Sequence, residues 1–498
     1  MRELRWFFSQ PIFMAVLSIC STGLIFLLAS QSLGQTSASQ ESLGLAPNEL
    51  KAALYFDDST LQSTVEGYLK FEAFKYPTLI PTKPKLSQNS AISANLRVQY
   101  DSLRIENVVD FRAGRYLEWG GSIFGVDELY SSVYLNDKRV QVAVGRKKEF
   151  WSTADQEWKL GLWQPLDAPD MLRPETGGLT GVFYKYKEDK TDLLVFGSPI
   201  FIPTMGPEIR VKNGTLESEN RWYKEPSQSF PMSGTDTKLV YSMDMPDLAE
   251  LIRKPGVGAR ARYGQDREGI WYSGSYGYKP INKLLVKYKR YLFLPETDPQ
   301  TGEVTVGPDV GYHQILGGDV GYLASQSRFT LSYLEDRPKL ELPTGSWVRQ
   351  QPRPMRVLCL VADMDANLPY FVSPVGIVVS YLRIQTPAIL DYDAEGVEQG
   401  SIFEDRSDFT SAVSLKVKTE TQLLRKRLTS QIKYIRDFDQ SGVLINGEVS
   451  IWPARQMSAT LGVDILGVDN PEKSARDGRF LNQFRYNDRM YGGVSYVF

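Results

Sequence analysis

The chain has 498 residues, with 57 lysines and arginines against 59 aspartates and glutamates, a formal net charge of −2. There is no basic excess to hold a polyanion, which excludes nucleic acid as a partner. No apolar run beyond the first 34 residues reaches the length of a transmembrane helix, so a polytopic helical membrane protein is excluded, but a membrane β-barrel is not, because only every second residue of its strands meets lipid.

Residues 1–34 have the layout of a secretory signal: Arg2 and Arg5, an apolar stretch from Pro11 to Ala29, then small residues with candidate cleavage positions near Ser30 and Gly34. The stretch is also long enough to anchor a chain, but Ser18, Ser21 and Thr22 interrupt it and a Ser/Gln-rich leader follows, which favours cleavage. Cys20 sits in mid-run after Ile19, unlike the cysteine of a lipoprotein signal. Cleavage leaves Cys359 alone, so the mature chain has no intramolecular disulfide and its fold must close on itself by other means. Residues 35–63 read as an N-terminal periplasmic leader, and 64–498 as one barrel domain.

From residue 65 onward a period of two recurs. Val65, Gly67, Leu69, Phe71 and Ala73 alternate with Glu66, Tyr68, Lys70, Glu72 and Phe74. The same pattern marks 92–100, 270–278, 283–289, 328–333, 413–418, 428–434, 443–451 and 457–465, with further candidate strands at 104–112, 128–136, 139–146, 180–187, 191–198, 236–245, 257–264, 309–324, 355–362, 374–384 and 479–486. No repeat of propeller length is visible. The 27 tyrosines, 23 phenylalanines and 9 tryptophans suit aromatic girdles at two membrane interfaces. The chain ends with Met490, Gly492, Val494, Tyr496 and Phe498 on one face of a strand and Tyr491, Gly493, Ser495 and Val497 on the other. This segment resembles the final strand of Gram-negative outer-membrane β-barrels, which end in an aromatic residue. The resemblance implies that Tyr496 and Phe498 belong to an assembly signal read by the barrel-insertion machinery. The expected fold is all-β: a transmembrane antiparallel β-barrel of about 16–18 strands, an even number, with long loops.

One long gap between strands is rich in tryptophan and mixed charge. It runs from Gly145-Arg146-Lys147-Lys148-Glu149 through Trp151, Asp155, Trp158 and Trp163 to Asp170, Arg173, Pro174 and Gly181. Three tryptophans and fixed turn residues imply an ordered loop. Gly145-Arg146, Trp151, Asp155, Asp170 and Pro174 are similar to a pattern in porin-like and alginate-export-type barrels, over about 35 residues; the Trp163-Gln164-Pro165 element is not part of that pattern. Two arrangements fit these residues. In one, Arg146, Lys147, Glu149, Trp151, Asp155, Asp170 and Arg173 line a constriction and set solute preference. In the other, Trp151, Trp158 and Trp163 form the small core of a plug whose charges pair locally.

Enzyme chemistry is poorly provided for. His313 is the sole histidine, no Gly-x-Ser-x-Gly elbow accompanies it, and no metal-ligand spacing occurs. The sequence therefore points to no enzyme and no cofactor. It points to a porin-like outer-membrane channel of a Gram-negative bacterium, for passive diffusion or export of small polar or anionic solutes. Its partners would be outer-membrane lipid, the insertion machinery and the solute, and a homo-oligomer is compatible with it. The alternative is a plugged or structural barrel, acting as an adhesin or as the anchor of an envelope complex.

Overall fold

The computed structural model describes residues 52–498 apart from 56–60, 79, 81–85, 103, 120, 136–137, 233–234, 265–267, 294–300, 340–346, 370, 387–402, 405 and 470–478. The signal expected at 1–34 lies outside the described residues. The wall is a closed barrel of 18 antiparallel strands. In chain order they are β1 Leu61–Lys75, β2 Gln88–Ser102, β3 Ile105–Tyr116, β4 Ser122–Leu135, β5 Val140–Lys147, β6 Leu179–Glu188, β7 Thr191–Ser198, β8 Gly256–Gly264 and β9 Gly269–Pro280. The second half comprises β10 Tyr312–Ala324, β11 Ser327–Pro338, β12 Met355–Ala366, β13 Val375–Gln385, β14 Ser411–Leu423, β15 Lys426–Asp437, β16 Gly442–Ala454, β17 Met457–Val468 and β18 Arg489–Val497. Each strand pairs with the next, and β18 returns to β1 with Tyr496 opposite Leu69, so no long edge is left open.

Alternation decides which face meets what. Leu69 and Phe71 on β1, Tyr272 and Tyr276 on β9, Val320 on β10, Leu331 on β11 and Leu360 on β12 all stand exposed on the outer face. Registered pairs make this a continuous row, Tyr272–Val320–Leu331–Leu360. The intervening side chains, such as Ser273, Asp319 and Ser332, are buried on the inner face. An apolar exterior around a polar interior is stable in lipid, where a closed barrel satisfies every backbone group internally. On β18 the expected face is the outer one: Met490, Val494 and Tyr496 are exposed.

A β-bulge interrupts the alternation on β4. Asp110 opposes Glu128 and Phe111 opposes Val126, so Asp127 is the extra residue. Asp127 and Glu128 are thereby both buried toward the interior, which strict alternation would forbid.

The short connections 103–104, 189–190, 325–326, 424–425 and 455–456 lie at the end of the barrel that carries both chain termini. The long ones, between β5 and β6, β7 and β8, β9 and β10, β11 and β12, β13 and β14, and β17 and β18, leave from and return to the other end, which is the external face in barrels of this kind. Two segments with strand periodicity are not wall strands. Thr235–Met243 and Leu285–Phe293 belong to a separate five-stranded sheet, together with Ser229–Met232, Thr301–Asp309 and Trp347–Arg349. Period two reports a half-buried sheet and cannot tell which sheet. The segment 479–486 contains a helix, Phe480–Gln483, with Phe480 and Leu481 buried. Within the leader, Ala52–Tyr55 forms a short strand on β1, and β1 itself begins at Leu61.

Candidate functional site

The connection 148–178 leaves the external end of β5 and turns into the barrel. Gly145 lies within β5, opposite Tyr130 and Gly181. Its φ is +130°, and a Cβ there would meet the Leu129 carbonyl oxygen at 2.2 Å. The loop then forms one short helix, α1, Thr153–Trp158, built from the helix-compatible Ala154, Gln156 and Glu157. It packs on β11, β12 and β13, well around the wall from where it left. The Ser152 and Ser332 hydroxyls lie 3.1 Å apart, the Thr153 N–H points at the Asp319 carboxylate from 3.4 Å, and the Ser380 hydroxyl lies 3.4 Å from Glu157.

The tryptophans make the loop's core. Trp151 and Trp163 stack with ring centroids 4.4 Å apart at 7°, and Trp158 meets Phe409 edge-on at 6.0 Å. The stacked pair lies on the bare backbone of Gly258 and Gly277: a Cβ at Gly277 would fall 2.6 Å from the Trp163 ring. Wall groups then fix the loop's backbone. Arg260 donates to the Phe150 carbonyl. The Asn282 amide donates to the carbonyls of Gly161 (2.7 Å) and Leu162 (3.2 Å), and Lys279 donates to Asn282 at 2.8 Å.

The charges expected at a constriction are placed as follows. Arg146 is buried, with its guanidinium against Gly177. Lys147 lies 2.7 Å from Glu149, which also faces Lys185 at 3.5 Å. Burial raises the Glu149 pKa, but Lys185 and Lys147 together outweigh it and hold the carboxyl below its ordinary value. Asp155 is turned inward and accepts the N–H groups of Leu162 (2.9 Å) and Trp163 (3.1 Å); burial raises its pKa. Asp170 pairs with Arg489 at 2.6 Å, and Arg489 pairs with Asp464 at 2.5 Å. Arg173 pairs with Glu72 at 2.8 Å and lies 4.1 Å over the Tyr491 ring. Glu149, Trp151 and Asp155 border a cavity of about 390 Å³ within the loop, together with Lys148, Lys159 and Glu175.

These contacts map the loop onto the wall. It covers β8 to β13 with its core and α1, reaches β3 through Asp167 and Arg112 (3.4 Å), and reaches β18 and β1 through Asp170 and Arg173. On β14 to β17 the inner side chains Ser414, Ile435, Asp437, Asp464 and Leu466 are buried. There Lys416 and Lys433 are directly opposed on β14 and β15, with Lys418 two residues further along β14. Among the described residues none of the three makes an ion pair; Glu157 acts on Lys433 only at longer range. The opposite wall is different: Arg97 bonds Asp110 (3.2 Å) and Glu128 (2.7 Å), and Arg112 bonds Asp127 (2.7 Å).

Reading the residues in chain order finds the loop but not its counterparts. Asp319, Ser332, Asn282 and Arg489 become its supports only once the barrel closes. The lysines could have been found: Lys416 and Lys433 occupy the polar phase of two apolar-alternating strands joined by a tight turn, which places them near each other inside. His313 is buried with its Nδ1 2.6 Å from Asp336, which Arg406 also pairs.

The outer apolar row and the charged interior define a transmembrane antiparallel β-barrel. No family model and no curated protein matches the chain. Among solved structures it is similar to Pseudomonas aeruginosa OpdQ (TM-score 0.41, 10% identity, 88% of this chain and 98% of that one covered). It is also similar to Salmonella typhi OmpF in complex with daunomycin (0.38, 11%, 90% and 100%) and to Acinetobacter baumannii OccAB4 (0.41, 9%, 89% and 100%). Likeness at this level assigns no solute.

Proposed function

We propose that the chain forms a narrow diffusion channel for small anionic solutes. One observation carries this reading: Lys416 and Lys433 stand directly opposite on the inner face of β14 and β15, without ion-pair partners among the described residues, on strands other than β11 to β13, where α1 packs. Like charges set directly opposite on a sheet are destabilising. A passing anion relieves that repulsion, and a ring of one sign sets the preference of a pore. The loop's own residues, Arg146, Lys147, Glu149, Trp151, Asp155, Asp170 and Arg173, serve here to hold the opposing face of the passage in place. Glu149 and Asp155 border its inner cavity, and Asp170 and Arg173 moor it to the wall.

The test is the reversal potential of the refolded protein in planar bilayers under a salt gradient. Wild type is expected to prefer anions, and Lys416→Glu with Lys433→Glu is expected to reverse that preference. A pore whose selectivity ignores both substitutions would refute the reading. The second reading, a plugged or structural barrel, draws on the pairing of Asp167, Asp170 and Arg173 with the wall and on the five-stranded external sheet. No conductance, together with a partner copurifying at fixed stoichiometry, would favour it.

A further inference from the structure

The connection 199–255, between β7 and β8, does not stay on its own side of the barrel. At Arg221 it meets the connections that flank the closing seam, 76–87 and 469–488. The Arg221 guanidinium donates to Asn487 Oδ1 (3.1 Å) and to the carbonyls of Leu86 (2.8 Å), Thr78 (3.0 Å) and Tyr486 (2.5 Å). Asn487 answers with its amide to the Arg221 carbonyl at 3.2 Å. The guanidinium also lies 4.3 Å over the Tyr76 ring. Next to it, Trp222 stacks near Phe480 at 6.5 Å and 8° and tilts against Phe484 at 5.3 Å. Asn220 donates to the Pro169 carbonyl at 2.8 Å, which ties the same point to the lumen loop.

We propose that segment 199–255 is a strap latched across the external mouth by Arg221, and that release of this latch widens the route into the lumen. The path follows from connectivity: a chain that leaves β7 and is pinned at the β18–β1 seam crosses the mouth over β2 to β6. Beneath it lies a vestibule of about 990 Å³, bordered by Tyr116, Glu118, Trp119, Pro169, Arg210 and Asn220. The chemistry of the pin suits a latch. Among the described residues Arg221 meets only carbonyl and amide oxygens and a ring face, with no carboxylate. Burial without a counter-ion pushes its pKa down to about 10, so the cation is held at a desolvation cost. When the pin opens, water replaces the four oxygens and no anion is stranded. A buried arginine–carboxylate pair lacks that property, and the Arg489–Asp170 pair that moors the lumen loop is of that fixed kind.

Arg221→Gln removes the charge and most of the donors. Expected are a higher open-state conductance with faster flicker in planar bilayers, and faster tryptic cleavage in the strap, where Arg210 and Lys212 are exposed. Heat-modifiable migration on SDS gels reports whether the barrel is intact. An intact variant that conducts and is cleaved like wild type would overturn the proposal. If Arg221→Gln does not fold, Asn487→Ala decides: it withdraws one acceptor, should shift both readouts the same way by less, and wild-type behaviour in both would overturn the latch. The effect on conductance rests on the channel reading. If neither wild type nor variant conducts, that reading fails, and strap cleavage alone judges the latch.

Discussion

Single side chains in this barrel are set by where their charge can go. Arg489 has two carboxylates within hydrogen-bonding distance and is almost fully buried, so it joins the wall to the lumen loop at one atom group. Arg489→Met would leave Asp170 and Asp464 buried without a cation. Losing one partner of such a network costs about 3–5 kcal/mol. A drop of that order in refolding free energy from urea is expected, and a smaller one would mean that water repairs the gap. Asp408, in an external connection, behaves oppositely. Burial raises its pKa to about 6, with Lys283 only partly opposing. A raised carboxyl pKa means that the folded state holds the proton more tightly than the unfolded chain. Its contribution to stability is full below the ordinary aspartate range, near ~4, and is lost as pH rises through about 6. Asp408→Asn should therefore gain on wild type in urea midpoint as pH goes from 4 to 7.5. Parallel midpoints across that range would show that Asp408 is not buried as described.

At the scale of the element, the loop 148–178 is a folded piece with a core of its own. Trp163 supplies much of that core, stacked on Trp151 and seated on two glycines. Trp163→Ala is expected to cost about 3–5 kcal/mol of local stability, as for other buried aromatics. The readout is selective proteolysis of the loop with the barrel still heat-modifiable; a loop as resistant as wild type would contradict the packing. Gly277→Ala tests the same contact from the wall, because the new methyl would collide with Trp163; overpacking of this kind typically costs about 1–3 kcal/mol. The final strand is a second such element. Phe498 exchanges two backbone hydrogen bonds with Gly67, at 2.9 and 3.0 Å, and its ring lies over that glycine beside Tyr496. We propose that these two aromatics serve assembly as well as the wall. Phe498→Ala should slow insertion into vesicles far more than it lowers the stability of the inserted barrel. Equal effects on rate and stability would reduce its role to packing.

At the scale of the molecule, the charge pattern is asymmetric across the lumen. Near β3 and β4, Asp110, Asp127 and Glu128 pair with Arg97, Arg112 and Lys148, whereas β14 and β15 carry lysines without ion-pair partners among the described residues. Raising ionic strength should therefore weaken anion preference, since a partly wetted lumen is screened over a Debye length of about 8–10 Å. Selectivity that is flat with salt would point to size rather than charge.

The sequence by itself determined the wall. Alternation at Leu69–Phe71, Tyr272–Tyr276 or Leu461–Ile465 is a local property of a strand with lipid on one side, so each wall strand is legible without knowing its neighbours. The tryptophans between Glu149 and Trp163 likewise announced an ordered loop. Only the tertiary structure decided what needs strands distant in sequence to meet. It showed that Leu285–Phe293 lies outside the wall, that the bulge at Asp127 turns two acids inward, that Arg489 and Asp170 meet across 319 positions, and that Lys416 and Lys433 stand directly opposite each other on β14 and β15. Periodicity records which face of a strand is apolar. It carries no information on which strands share a lumen, because that depends on closure of the whole ring, and closure is complete only when β18 finds β1.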